Sequence, residues 1–152
     1  MGLTKHAKYG LLLILFANNA FAGETDNVKT NLALININNI KTERAGQLVI
    51  FVFSRDGFPK EHNKALSKFI YPVTSAQQKI EIAVPLKKFF AIKVLHDENM
   101  DEKVTKNWTG IIPRDGIGFS NGARIVFSPP KFDDAKILYT EQPSPVINIQ
   151  YF

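Results

Sequence analysis

The chain has 152 residues, of which 22% are charged, and 19 lysines and arginines against 14 acids give a net charge of +5. That length suits one domain. There is no cysteine, which excludes zinc–thiolate sites, iron–sulfur clusters and cysteine nucleophiles and leaves the fold to be held by its core.

Lys5, His6 and Lys8 precede an unbroken apolar run over residues 11–17, and Ala20-Phe21-Ala22 has the small-x-small pattern of a cleavage site. These are the parts of a secretory signal peptide. The expected organisation is a signal peptide over residues 1–22 and a single domain over residues 23–152, exported to the periplasm or beyond. The apolar run is far shorter than the roughly 20 residues that span a bilayer, so no transmembrane span is expected after cleavage. Cleavage removes two lysines and leaves a net charge of +3. The remaining basic residues form no stripe interleaved with aromatics, so nucleic acid is not an expected partner. A monomer is expected.

Residues 31–40 (NLALININNI) alternate, with Ala33, Ile35 and Ile37 on one face, and read as a half-buried strand. Residues 47–54 (QLVIFVFS) are apolar on both faces and β-branched or aromatic, as a central strand should be. Asp56-Gly57 and Pro59 mark a loop. Residues 64–71 have the composition for one or two helical turns, ended by Pro72. Residues 79–84 and 89–96 read as strands, with Phe90, Ile92, Val94 and His96 on one face. Further strands are expected over residues 123–128, 134–140 and 146–152. About seven short strands separated by turn signals predict an all-β fold, an antiparallel β-sandwich. A small outer-membrane barrel is disfavoured, because its strands need about 9–11 residues each.

The densest group of side-chain oxygens follows His96. Asp97, Asn99 and Asp101 stand at alternate positions, the spacing with which a tight loop wraps a hard cation, and the Thr105 hydroxyl could be a further ligand. Calcium is therefore a candidate ligand. Against it, Glu102 stands where the sharp turn wants glycine and Trp108 where a bidentate glutamate belongs, so a loop whose Asx side chains bond their own backbone is the preferred reading. His96 reads as a strand-end histidine bonded to the loop that follows. A hydrolase built on His96 and Ser120 is the weakest reading, because Asp97 points to the opposite face from His96 and no nucleophile elbow surrounds Ser120. His62 reads as solvated. Trp108, the only tryptophan, reads as a core plug, or as a sugar-stacking platform if exposed beside Asn107 and Asp115. Gly116 and Gly118 read as a turn needing positive φ.

Five segments carry a resemblance. They are Asp56-Gly57-Phe58-Pro59, the run from Ala91 to Asn99, residues 110–113, Gly118-Phe119-Ser120-Asn121 with Ala123, and Pro129-Pro130 with Phe132, Asp134 and Ala135. In order and spacing the chain resembles the small exported bacterial proteins grouped as the domain of unknown function 2141 family, over about residues 32–152. The resemblance implies an immunoglobulin- or transthyretin-like sandwich and an export route, and no reaction. Relative to that family, Glu102 replaces a loop glycine, Thr105 replaces an aspartate and Asp101 stands for an asparagine. Lys87-Lys88-Phe89-Phe90 replaces a Pro-Gly turn. The expected function is a non-enzymatic accessory or interaction module of the cell envelope, with an envelope protein or a glycan as partner. Its site face would combine residues 97–107 with Gly118, Phe119, Ser120 and Asn121. A calcium- or carbohydrate-binding domain is the alternative.

Overall fold

The alternating stretch early in the chain forms β1 (Thr30–Asn38), with Ala33, Ile35 and Ile37 buried as period-two patterning requires. The computed structural model describes residues 29–140 and 144–152, so the expected signal peptide lies outside it. β2 (Gln47–Phe53), β3 (Ser67–Pro72), β4 (Gln78–Pro85), β5 (Phe89–Asp97) and β6 (Gly116–Phe119) follow. A single helical turn α1 (Phe132–Ala135) precedes β7 (Ile137–Leu138), and β8 (Val146–Asn148) comes last.

Two sheets form a sandwich. One has the order β4-β1-β8, with β1 and β8 parallel, and the other runs β3-β2-β5-β6, with β7 paired to the start of β5. Their facing sides make the main core, in which Ile35, Ile37 and Ile82 meet Ile50, Val52, Ile92 and Val94. A second apolar cluster lies on the outer side of the larger sheet. There Val49, Phe51, Phe53, Leu95, Ile117 and Phe119 are roofed by Phe58, Ile125 and Phe132 from the long connections. That roof explains why β2 and β5 are apolar on both faces.

Residues 64–71 are extended rather than helical. Only His62–Lys64 make a 3-10 turn, after which Leu66 N–H reaches the Val52 carbonyl and β3 pairs with β2, turning Phe69 and Tyr71 toward the main core. Residues 123–128 are not a strand. The Gln150 side-chain amide satisfies the Ile125 backbone, accepting its N–H at 3.2 Å and donating to its carbonyl at 2.9 Å, so no ladder is needed there. Residues 134–140 begin inside α1, because the Asp134 carboxylate accepts the Lys131 N–H at 3.0 Å and closes a first helical turn before β7. The last strand is shorter than expected. Past β8 the chain crosses between the sheets, with Ile149 N–H on the Asn38 carbonyl and Gln150 exchanging two backbone bonds with Ile117. Among the described residues no helix is long and apolar enough to cross a membrane.

Gly116 and Gly118 sit within β6, not in a turn. A Cβ on Gly116 would lie 2.4 Å from the Tyr151 ring and one on Gly118 would lie 2.8 Å from the Asn148 carbonyl oxygen. Their role is to let the C-terminal crossing approach the second sheet. Positive φ is found instead at Asn121, Gly122 and Gly110.

Candidate functional site

β5 ends at Asp97, opposite Gln47 of β2. The carboxylate is fully buried. Its Oδ2 accepts the Glu102 N–H at 2.8 Å and the Gln47 Nε2–H at 2.9 Å, and its Oδ1 accepts the Asp101 N–H at 3.3 Å. Asp101 in turn accepts the Lys103 N–H and the Asn99 side-chain amide. The chain can wrap this tightly because Met100 and Glu102 both adopt left-handed φ near +60°. Glu102 thus performs the sharp turn expected of glycine, and its carboxylate pairs with Lys68. Thr105 contributes its backbone N–H, which donates to Asp115 at 2.6 Å, while its buried hydroxyl meets the distance and angle of a hydrogen bond with no partner among the described residues. Burial pushes the Asp115 carboxyl up, opposed by that Thr105 hydrogen bond. Among the described residues, no three His, Cys, Asp or Glu side chains converge as a metal-holding group.

Residues 105–114 then form a narrow finger, tied by Arg114 N–H to the Thr105 carbonyl and Asn107 N–H to the Ile112 carbonyl. Its tip is a turn closed by Gly110 N–H on the Asn107 carbonyl, with the Asn107 side chain accepting from Thr109 and from the Ile112 N–H. Trp108 occupies that tip and is 97% exposed. It is no core plug: the short finger has no second layer for it to enter.

His96 is fully buried, on the main-core face that parity assigns. It does not bond the loop that follows. Its Nε2–H donates to the Ala45 carbonyl at 3.3 Å, which leaves Nδ1 to accept the Tyr151 hydroxyl at 2.6 Å. Burial raises the Tyr151 phenol above its ordinary pKa. Ser120 is four positions along the ladder, at the level of Ile92, where it accepts the Ile92 N–H and donates to the Ala135 carbonyl. The two side chains are not brought together. Of the expected site face, Phe119 packs in the outer apolar cluster with Val104 of the 97–107 stretch. Gly118 instead lies against Ile147 and Asn148, and Ser120 and Asn121 latch α1, Asn121 donating to the Asp134 carbonyl.

The outer side of the larger sheet carries what sequence reasoning missed. A cleft of about 610 Å³ opens between the finger, the 59–62 segment and residues 125–129. Lys93 is at its inner wall and only 4% exposed. Its Nζ donates to the Pro59 carbonyl at 3.0 Å and contacts His62 Nε2 at 2.8 Å. Burial pulls the Lys93 ammonium down to about 8. His62 is not a solvated loop residue: it stacks on Phe51 at 4.0 Å, and burial with the Lys93 charge lowers it to about 4. Ile111 and Phe127 flank the opening, 77% and fully exposed respectively. The available signal was Lys93 itself, a charge in the middle of the otherwise apolar run from Phe89 to Leu95.

The lowered His62 sets a pH dependence. The unfolded chain takes up the proton near pH 6.5, whereas the folded chain resists it until about 4. His62 therefore contributes stability that is complete above pH 6.5 and is lost as pH falls toward 4. With half the ring solvent-screened, the loss is about 1–2 kcal/mol. Urea melts from pH 7 to 4 should show that loss in the wild type and a correspondingly shallower slope in His62→Gln.

No curated protein and no solved structure matches the chain. A family model described as "Uncharacterized protein conserved in bacteria (DUF2141)" matches residues 35–146, from within β1 to the start of β8. The chain belongs to that bacterial family, as the Asp56–Pro59, Ala91–Asn99 and Gly118–Asn121 segments indicated.

Proposed function

We propose that the chain is an exported, non-enzymatic recognition module of the cell envelope, acting in the periplasm or outside the cell. Its binding surface is the cleft end, formed by the finger and residues 125–129. The observation that carries this is the pair Ile111 and Phe127, large apolar side chains held in water on either side of a concave opening. Burying them against a partner would recover apolar surface that folding leaves exposed. The test is capture of an envelope component by the wild type and by Ile111→Ser/Phe127→Ser, which should melt like the wild type. Specific loss of that component from the variant supports the surface, and equal capture overturns it. Recovery of uncleaved protein from the cytosol would overturn export.

A second reading is favoured by Trp108, whose exposed ring at a rigid tip suits stacking on a sugar face. It requires that Trp108→Ala abolish binding to an envelope glycan without changing the melting temperature.

A further inference from the structure

Lys93 is expensive to keep. A buried ammonium loses hydration and is ordinarily compensated by a carboxylate. Here its two protein partners are the Pro59 carbonyl and the His62 ring, both without negative charge, and its third N–H has no protein acceptor among the described residues. The cleft it lines has four lysines, Lys60, Lys93, Lys103 and Lys106, and no aspartate or glutamate. Apart from His62 and Ser128 the rest of the wall is apolar, with Val104, Ile117 and Ile125 inside and Ile111 and Phe127 at the mouth. A cavity of about 610 Å³ is of the size that encloses a small organic ligand.

From this we infer that the cleft binds an anionic amphiphile, a carboxylate or phosphate head on a single apolar chain. The head meets Lys93, and the chain lies between the finger and Phe127. The assignment rests on reading the cleft as the binding surface and adds the class of ligand. An inorganic anion would leave the apolar walls wet. A neutral lipid would leave Lys93 without a counter-charge in a place where low dielectric makes that charge matter most. An anion also completes the ammonium's third hydrogen bond, in the stronger charge-assisted form.

Calorimetric titration of the protein with four probes tests the inference: dodecanoate, dodecyl phosphate, dodecanol and acetate, each lipid below its micelle concentration. Dodecanoate or dodecyl phosphate should bind at least tenfold tighter than dodecanol, and acetate should not register. Whichever head is preferred identifies the source, a fatty acid or a phosphorylated lipid. Lys93→Met should weaken the anionic probe about tenfold or more, the size of one lost charge-assisted hydrogen bond, and leave dodecanol unchanged. Should that variant fold poorly, Lys60→Ala/Lys106→Ala and Phe127→Ser, both on the surface, should weaken the anionic probe while melting normally. Equal binding of dodecanoate and dodecanol, or no effect of any of these variants, overturns the inference. If no amphiphile binds but Ile111→Ser/Phe127→Ser still loses its envelope component, the ligand class falls and the recognition surface stands. If amphiphiles bind and that variant captures the component normally, the proposed recognition surface falls and the ligand site stands.

Discussion

Gly46→Ala is expected to lower the unfolding free energy by about 3–5 kcal/mol, from two costs that add. The first is conformational. Gly46 has φ +119°, a region that a side chain enters only with strain. The second is steric: a Cβ there would stand 2.2 Å from the Asp97 carbonyl oxygen and 2.7 Å from the Glu98 Cα. Both neighbours are backbone at the end of β5, so no rotamer change relieves the clash. The 41–46 turn would have to lift. It carries the Ala45 carbonyl that accepts from His96 and the Arg44 guanidinium that pairs with Glu98 at 2.8 Å, so the base of the finger would loosen with it. Thermal melts should fall by roughly 10–20 °C. Gly110→Ala is the internal comparison. Gly110 also has positive φ, but nothing lies within 4 Å of an added Cβ, so only the conformational cost of about 1 kcal/mol applies. If the two variants melt alike, the close approach at Gly46 carries no energy.

The strands that build the main core were legible because a half-buried strand writes its geometry into alternate positions. Ala33, Ile35 and Ile37, and Phe90, Ile92, Val94 and His96, took the faces that parity assigned. The second apolar cluster was less legible. β2 and β5 announce that both faces are covered, but nothing local says by what, and the cover is Phe58 from the β2–β3 connection with Ile125 and Phe132 from the stretch between β6 and β7. The 123–128 stretch failed for a related reason. Its composition favours a strand, yet the backbone bonds of its Ile125 are taken by Gln150, 25 residues away. Gly116 and Gly118 were misread because glycine serves two needs, positive φ and close approach, and only the neighbour across the sheet decides between them. Of the candidate site, the Asx loop was legible from spacing alone. The cleft was not, since Pro59, His62, Lys93, Ile111 and Phe127 come from four stretches that only the tertiary fold brings together.

Asp97→Ala is expected to cost about 3–4 kcal/mol. The carboxylate is fully buried and organises three donors at once, the N–H groups of Asp101 and Glu102 and the Gln47 amide. Hydrogen bonds to a charged acceptor contribute about 1.5–3 kcal/mol each, and a donor left unpaired in the interior costs about 1–3. The two backbone donors are near enough to water to be partly rescued, which keeps the total below the sum. Asp97→Asn should fall between alanine and wild type, because its amide oxygen still accepts but its NH₂ faces donors. The same variant separates the two readings of the loop. If Asp97 serves the backbone, millimolar calcium and a chelator should leave the wild-type melting temperature equal, since the oxygens a cation would need are already committed to N–H groups. If calcium is the ligand, it should raise the wild-type melting temperature, chelator should reverse the rise, and Asp97→Ala should abolish it, because only a ligand bound to the folded chain stabilises by mass action. The backbone reading is the expected result. Met100 and Glu102 accept left-handed φ in order to bring the Asp101 and Glu102 N–H groups onto that carboxylate, and strain held to point donors inward at Asp97 would work against a cation in the same place.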